Sequence, residues 1–208
     1  MARIIGIDFD NTLVSYDELM YRLAMEGCLI GSGVERSKRA VREAIRQSPA
    51  GDDAWQRVQA IAYGERMEEA RLNDGVRSFF EQCRRHGDTV YIVSHKTAFA
   101  SVDDARTNLR EAALAWMAAR GFFSTEGLGL SRETVWFEAT RQEKVNRINR
   151  LRCTHFIDDL EETFLEPSFP AAVEKILYVP QIPRPSLDGV RIVASWKELT
   201  DYLFGASD

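Results

Sequence analysis

The sequence predicts an α/β fold in which a Rossmann-like parallel sheet carries helices on both faces, together with a small α-helical cap. Short β-branched runs recur along the chain and are nearly continuous in apolar residues, which is typical of strands buried on both faces. Helical stretches separate most of these runs. One long segment near the N terminus interrupts the alternation, because it contains helical patterns and no convincing strand.

The alternation of strand and helix predicts a parallel sheet covered on both sides. The runs predicted as strands are Ile4–Ile7, Thr89–Val93, Thr134–Phe137, Thr154–Ile157, Ile176–Val179 and Val190–Val193. The stretches with apolar residues at helical spacing are Val76–Arg85, Ala105–Arg120, Arg141–Leu151 and Trp196–Phe204.

The interrupting segment spans residues 15–73 and is predicted to contain helices separated by breaks at Gly31–Gly33 and Ser48–Gly51. Its helices are predicted over Asp17–Glu26, Arg36–Gln47 and Asp53–Leu72. We therefore expect a core domain of residues 1–14 and 74–208, with a helical cap of residues 15–73 inserted after the first strand. One cap helix has basic residues at roughly one-turn spacing, which predicts either an exposed basic face or positive charge presented to an anionic substrate; these residues are Lys38, Arg39, Arg42 and Arg46.

Composition narrows the functional classes. A chain of 208 residues with 45% hydrophobic and 28% charged residues suits one globular core with a small insertion. The net charge of −5 argues against a nucleic-acid partner. No apolar run approaches the roughly 20 residues of a membrane span, and the N terminus does not resemble a signal peptide, so we expect a cytoplasmic protein with no membrane partner.

The three cysteines show no CxxC pairing and are predicted as core residues, not as zinc ligands.

Two carboxylates follow the first predicted strand. Asp8 and Asp10 come directly after Ile4–Ile7, and ligands of open parallel sheets bind at the carboxyl ends of the strands. Holding two like charges together is costly unless a positive charge joins them. A hard cation with oxygen ligands meets that need, and Mg2+ is the usual choice beside phosphate.

Two later predicted strands are also followed by polar residues. Thr89–Val93 leads into Ser94, His95 and Lys96, and Thr154–Ile157 leads into Asp158 and Asp159. Because carboxyl ends of parallel strands share one edge of a sheet, these side chains are expected near Asp8 and Asp10.

A lysine completes the set. Thr140 and Glu143 fit a capping box, which starts a helix just before Lys144 and places that lysine in its first turns. Lys96 competes with Lys144 for the same role, because it too follows a strand.

Taken together and in order, these residues resemble the motifs of the haloacid dehalogenase (HAD) superfamily. The segment Asp8-Phe9-Asp10-Asn11-Thr12 is similar to the first motif, and Ser94 to the second. Lys144 is similar to the third motif, and the Asp158-Asp159 pair to the acidic fourth. The resemblance covers almost the whole chain.

The resemblance implies a phosphatase with a covalent route. Asp8 would attack phosphorus and form an aspartyl-phosphate, and Asp10 would protonate the leaving oxygen and later deprotonate water. Magnesium would be bound by the Asp8 carboxylate, the Asp10 backbone carbonyl and, directly, Asp159, with Asp158 in a supporting or water-mediated role. The residues expected to bind the phosphate are Ser94, Lys144, Thr12 and His95. Thr12 is also expected to shape its loop, and His95 either faces the substrate or packs.

Asp10 distinguishes the chemistry within the superfamily. A halide leaves without a proton, whereas a phosphate ester leaves as an alkoxide that needs one, so Asp10 favours a phosphate substrate. We expect a small phosphorylated metabolite, with a sugar or polyol phosphate favoured. A 5′-nucleotidase or a phosphomutase of the same fold are the alternative enzymes. A binding module that has lost turnover and a nucleic-acid end-processing enzyme are further alternatives, and the acidic net charge argues against the second.

Each residue also has a plain structural interpretation. Asp8 and Asp10 can be solvated loop acids, and Ser94 a turn hydroxyl. Lys144 can lie on the exposed face of an amphipathic helix. The acids at 158–159 can cap the helix that follows them.

Overall fold

The computed structural model describes residues 2–49, 51–102, 106–180 and 186–205. Its strands are β1 Ile4–Ile7, β2 Val14–Ser15, β3 Arg71–Leu72, β4 Thr89–His95, β5 Val135–Glu138, β6 His155–Asp158, β7 Glu174–Tyr178 and β8 Val190–Val193. Its α-helices are α1 Asp17–Glu26, α2 Lys38–Arg46, α3 Gly51–Tyr63, α4 Val76–Arg85, α5 Leu109–Ala119, α6 Arg141–Arg150, α7 Glu161–Phe164 and α8 Trp196–Phe204.

The main sheet has six strands in the order β5-β4-β1-β6-β7-β8, and every neighbouring pair is parallel. The predicted α/β fold with a parallel sheet is therefore confirmed, and each of its strands lies within two residues of the predicted run. Because β1 lies between β4 and β6, the carboxyl ends of these three strands are adjacent. The register aligns Ile7 with both Ile92 and Ile157, so the residues just beyond these positions meet at one edge.

The centre of the sheet is close-packed around a glycine. Ile5, Ile7, Phe156 and Ile157 are fully buried on β1 and β6. A methyl group at Gly6 would lie 2.5 Å from Cδ2 of Phe156, so a side chain at this position would displace the ring. Among the cysteines, Cys83 and Cys153 are buried as predicted, whereas the core prediction for Cys28 is wrong because its side chain is exposed.

Two expectations for residues 15–73 are wrong in detail. The segment was expected to lack strands, but β2 and β3 form a two-stranded sheet where the chain enters and leaves it. Strands of two residues show no periodicity, so no sequence pattern indicated them. The helix predicted over Asp53–Leu72 ends at Tyr63, before Gly64, where a Cβ would lie 2.9 Å from the carbonyl oxygen of Ala60.

The chain divides by its internal contacts into two compact units. The sheet unit comprises Met1–Leu13, Leu72–Lys96 and Gly121–Asp208, and the helical unit comprises Val14–Arg71 and Thr97–Arg120. The proposed boundary, with a core of residues 1–14 and 74–208 and a cap of residues 15–73, stays a prediction. The helical unit also contains α5, whose Trp116 donates a hydrogen bond from Nε1 to the carbonyl of Ala70 at 3.0 Å. The helix predicted from Ala105 begins at Leu109, because the Asn108 side chain caps it by accepting from the N–H groups of Arg110 and Glu111; Ala105 itself lies outside the described residues.

The basic face of α2 is partly compensated within the helical unit. Arg39 pairs with Glu43 at 3.0 Å, and Arg46 pairs with Asp52 at 2.7 Å. Both pairs are exposed, so their contribution to stability is small. None of the helices in the described part of the chain combines the length and the apolar composition that a membrane span requires.

Candidate active site

The loop after β1 begins with a buried carboxylate. Asp8 is 4% exposed, and its backbone N–H donates to the carbonyl of Ile157 at 2.8 Å, which ties the end of β1 to β6. Asn11 then adopts a left-handed conformation with φ 61°, which asparagine tolerates better than most residues. This left-handed residue directly follows Asp10 in the loop after β1.

Lys144 joins two of the predicted acids. The predicted capping box is confirmed: the Thr140 side chain accepts from the Glu143 N–H, and the Glu143 side chain accepts from the Thr140 N–H. The helix that starts there buries Lys144, whose Nζ donates to Asp8 Oδ1 and to Asp158 Oδ2, each at 2.6 Å. Lys144 is 2% exposed, so carboxylates balance the charge of its ammonium group, and water does not hydrate it.

Burial and neighbouring charges shift the pKa values of both Asp8 and Lys144. Burial raises the pKa of Asp8 from 3.8 to about 7, against the opposing effect of Lys144 and with further help from the nearby charge of Asp158. Burial alone would lower the pKa of Lys144, but the charges of Asp158 and Asp8 outweigh it and raise that pKa. Burial is therefore the main reason why Asp8 holds its proton more tightly than an exposed aspartate, and the ammonium group that it shares with Asp158 offsets this effect only in part.

The two acids at the end of β6, Asp158 within the strand and Asp159 just after it, differ in their surroundings. Asp158 is fully buried; its Oδ2 accepts from Lys144, and its Oδ1 accepts from the N–H of Leu160 at 3.0 Å. Asp159 is partly exposed, and its Oδ1 lies 3.5 Å from Thr12 Oγ1. Asp158 is therefore held by protein donors at both oxygens, whereas Asp159 is the more accessible carboxylate.

The donor set fits a hard divalent cation. One carboxylate oxygen each from Asp8, Asp158 and Asp159 lies within 4.8 Å of the other two. Counting Asp10, four carboxyl groups gather around two lysines, Lys144 and Lys96, which leaves an excess of two negative charges when all are ionised. Oxygen ligands and an excess of two negative charges suit a hard divalent cation, which prefers carboxylates and water as ligands.

The end of β4 contributes three consecutive polar residues. Ser94 is 1% exposed and lies two residues beyond Ile92, which is aligned with Ile7 of β1. His95 is exposed, and its Nε2 donates to the carbonyl of Ala139 at 3.0 Å, so that nitrogen carries the proton. Lys96 is buried, and its Nζ donates to both oxygens of Asp10, at 2.9 and 2.8 Å.

The structure thus brings Asp8, Lys144, Asp158 and Asp159 together and places Thr12 beside Asp159. Ser94 lies at the same edge of the sheet, and His95 is directed to the backbone of the neighbouring loop. The phosphate-binding roles of Ser94, Lys144, Thr12 and His95 stay predictions.

Two supporting residues had no signal in the sequence. The carbonyl of Thr12 accepts from Asn73 Nδ2 at 2.8 Å and from Trp196 Nε1 at 3.1 Å. Both donors are far from Thr12 along the chain, and no motif includes them. Their two hydrogen bonds hold the loop that follows Asp10. The ion pair of Lys96 with Asp10 was likewise not expected, although Lys96 had been considered as the lysine of the site.

Comparison with known proteins gives structural matches only. No protein-family model matches the sequence, and no curated protein matches it. A HAD family hydrolase from Deinococcus radiodurans with bound phosphate and sodium matches with a TM-score of 0.57 and 16% identity, over 97% of this chain and 95% of that one. The HAD-hydrolase YfnB from Bacillus subtilis, bound to magnesium, matches with a TM-score of 0.56 and 14% identity, over 98% and 99% of the two chains.

A third match is a complex with a sugar phosphate. A mutant of CbbY from Rhodobacter sphaeroides in complex with xylulose-(1,5)bisphosphate matches with a TM-score of 0.52 and 14% identity, over 96% of each chain. At these identities the likeness establishes a shared fold along nearly the whole chain, while activity has to be argued from the residues of the site.

Proposed function

We propose that this chain, whose fold is that of the HAD-like hydrolases, is a magnesium-dependent phosphatase that acts on a small phosphorylated metabolite. The observation that carries the proposal is the convergence of Asp8, Asp158 and Asp159, whose oxygens lie within 4.8 Å of one another while Lys144 bridges two of them. Side chains from the loop after β1, from α6, and from the end of β6 with the residue that follows it meet here at the carboxyl edge of a parallel sheet, which is where such sheets bind ligands.

Asp8 is the proposed nucleophile. One of its oxygens forms a bond to phosphorus while the ester P–O bond breaks, which gives an aspartyl-phosphate and a free alcohol. The hydrogen bond from Lys144 to Asp8 Oδ1 orients the carboxylate, so that the other oxygen is presented for attack. Water then attacks phosphorus, the acyl-phosphate P–O bond breaks, and inorganic phosphate is released with Asp8 regenerated.

Asp10 is the proposed proton carrier. It gives its proton to the ester oxygen in the first step and takes one from the attacking water in the second, so it returns to its initial state. Its side chain is 17% exposed, against 6% for Asp8, which leaves it more accessible to substrate and water.

Lys144 and Ser94 are the proposed ligands of the transferred phosphoryl group. An ammonium group has three N–H donors, and the bonds to Asp8 and Asp158 use two of them, which leaves the third for a phosphoryl oxygen. Such fixed donors stabilise the charge of the transition state. Thr12 and His95 are proposed to assist in binding the phosphate.

The proposed metal ligands are the Asp8 carboxylate, the Asp10 backbone carbonyl and Asp159. When bound, Mg2+ offsets the excess negative charge of the site and polarises the phosphoryl group. Asp158 is proposed to support the site through Lys144, because it is fully buried and bonded to that lysine, whereas Asp159 is partly exposed. The CbbY complex supports a sugar phosphate as the substrate class, in line with the sugar or polyol phosphate expected above.

The test is a screen of phosphorylated metabolites for phosphate release, with Mg2+ and with EDTA. Sugar, polyol and nucleoside monophosphates are included, and an aryl phosphate serves as a general chromogenic substrate. We expect metal-dependent release that Asp8→Asn reduces at least about 1,000-fold, in line with removal of other nucleophiles. Asp201→Asn, in α8, is the matched control and should behave as wild type.

Two results would contradict the proposal. If the wild-type protein binds phosphate esters but releases no phosphate at any metal concentration, the chain is a binding module. If Asp8→Asn turns over at rates close to those of wild type, the covalent route is wrong.

A further inference from the structure

Lys96 is a buried lysine with a specific partner. Its side chain is 2% exposed, and its Nζ lies 2.9 Å from Oδ1 and 2.8 Å from Oδ2 of Asp10. Lysine is almost never this buried unless it is paired, because removing the ammonium group from water is costly. The ammonium group of Lys96 and the carboxyl group of Asp10 therefore hold each other in place.

The neighbours of Lys96 hold it in place. Its backbone N–H donates to the carbonyl of Glu138 at the end of β5, at 2.9 Å. Its ammonium nitrogen lies 5.6 Å from the centre of the Phe9 ring, which packs edge-on against Phe137. Lys96 is thus fixed from both ends, whereas Asp10 lies in a loop beyond the end of β1.

A contribution to stability alone does not account for this pair. A buried ion pair can often be replaced by apolar residues with no loss of stability, so burial by itself is weak evidence of a structural role. Contact with both oxygens has a specific consequence: one nitrogen at nearly equal distances from Oδ1 and Oδ2 lies close to the axis of the Cβ–Cγ bond, so it fixes where the carboxyl group lies and the direction in which that bond points.

We propose that Lys96 is a positioning residue for proton transfer by Asp10, an inference that rests on the proposed phosphatase activity. The lysine holds the carboxyl group in the orientation from which it exchanges a proton with the ester oxygen. Proton transfer depends on this geometry, since donor and acceptor must come within hydrogen-bond distance in the correct direction. The contribution of Lys96 to kcat/KM should therefore be large for a leaving oxygen that needs a proton and small for one that departs without a proton.

The leaving group provides the test. A dinitrophenolate departs without a proton, whereas an alkoxide does not, and kcat/KM reports the step in which the ester bond breaks. We expect Lys96→Met to reduce kcat/KM at least about tenfold for an alkyl phosphate and less than about threefold for dinitrophenyl phosphate, because acid catalysis contributes about 100-fold or more only where a proton is needed. Lys96→Arg should recover part of the loss for the alkyl phosphate.

The matched control is Lys197→Met. Lys197 also pairs with an aspartate, Asp201, at 2.6 Å, but its side chain is 80% exposed on α8. This variant should match wild type on both substrates. An equal loss on all leaving groups in Lys96→Met would overturn the inference, since it is the pattern of a residue that binds the phosphoryl group or only supports the fold.

A second comparison distinguishes an effect of Lys96 through Asp10 from a loss of folded protein. Asp10→Asn combined with Lys96→Met removes both charges of the pair, so no ionised group is left without its partner. If Lys96 acts through Asp10, adding Lys96→Met to Asp10→Asn changes kcat/KM for phenyl phosphate less than about twofold. A further tenfold loss in the double variant would show that Lys96 acts on its own and would overturn the inference.

The failure of the inference can be told apart from the failure of the proposed function. A wild-type protein that hydrolyses no phosphate ester removes the phosphatase proposal and the role of Lys96 with it. A wild-type protein that is active, with a Lys96→Met loss that does not depend on the leaving group, contradicts the role of Lys96 alone.

Discussion

Lys144 and Asp158 are joined by a hydrogen bond of 2.6 Å between Nζ and Oδ2, and both side chains are buried. The other Asp158 oxygen accepts from the backbone of Leu160. Asp158 therefore places the lysine that binds Asp8, whereas Asp159 is the proposed metal ligand of this pair. The two adjacent acids are expected to respond differently to the same substitution.

Asp159→Asn should weaken metal binding. Removing a charged oxygen ligand from a Mg2+ site should raise the Mg2+ concentration for half-maximal activity by about tenfold or more. Asp158→Asn should change that concentration less and should lower the free energy of unfolding by about 1–3 kcal/mol, because Lys144 loses a buried partner. Metal titrations of activity and urea unfolding measure the two quantities. A larger metal effect in Asp158→Asn than in Asp159→Asn would reverse the assignment.

The raised pKa of Asp8 predicts how the stability of the metal-free protein depends on pH. The fold raises the pKa of this carboxyl group from 3.8 to about 7, so the folded state holds the proton more tightly than the unfolded state. The stability that this proton provides is fully present below about pH 4 and is lost as the pH rises through 7. The loss amounts to a few kcal/mol, at about 1.4 kcal/mol for each pKa unit.

Asp8→Asn isolates this effect, because asparagine does not ionise. With EDTA present, we expect the free energy of unfolding of the wild type to fall relative to that of Asp8→Asn between pH 4.5 and 8. Mg2+ should reduce the difference at pH 8, since a bound cation stabilises the ionised carboxylate. Urea unfolding of both proteins across this pH range measures it. A constant difference would mean that Asp8 is ionised throughout the range.

Much of the fold and part of the site followed from the sequence. Buried parallel strands are nearly continuous in apolar residues, so their runs were visible, and polar residues after a strand fall at the edge where ligands bind. The pairing of Lys96 with Asp10 was not visible, because it joins residues 86 positions apart whose side-chain directions no pattern encodes. Helical periodicity in α5 indicated a buried face, but not that this face packs with the helical unit.

Gly6 should be intolerant of any side chain. Its added Cβ would lie 2.5 Å from the buried ring of Phe156 and 3.0 Å from Sγ of Cys153. Overpacking of this kind costs about 1–3 kcal/mol, so Gly6→Ala should lower the free energy of unfolding by that amount in urea. Gly31→Ala is the control, because nothing lies within 4 Å of its added Cβ. Phe156→Leu should relieve part of the loss in Gly6→Ala, and full additivity of the two losses would contradict the steric explanation.

The carbonyl of Thr12 predicts a non-additive pair of substitutions. It accepts from Asn73 Nδ2 and from Trp196 Nε1, and Thr12 itself is fully buried. Either Asn73→Ala or Trp196→Phe leaves one donor in place, whereas the double variant leaves a buried acceptor without either, which costs about 1–3 kcal/mol more. We therefore expect the double variant to lose about 0.5–3 kcal/mol of unfolding free energy beyond the two single losses.

The same comparison connects the loop to the metal site. Thr12 Oγ1 lies 3.5 Å from Asp159 Oδ1, so a Thr12 backbone freed from both donors no longer fixes the residue beside that carboxylate. The double variant should need more Mg2+ for half-maximal activity than either single variant, measured below the unfolding transition. Additive losses of stability together with an unchanged metal requirement would mean that the loop is held by its other contacts, and that the two donors act independently.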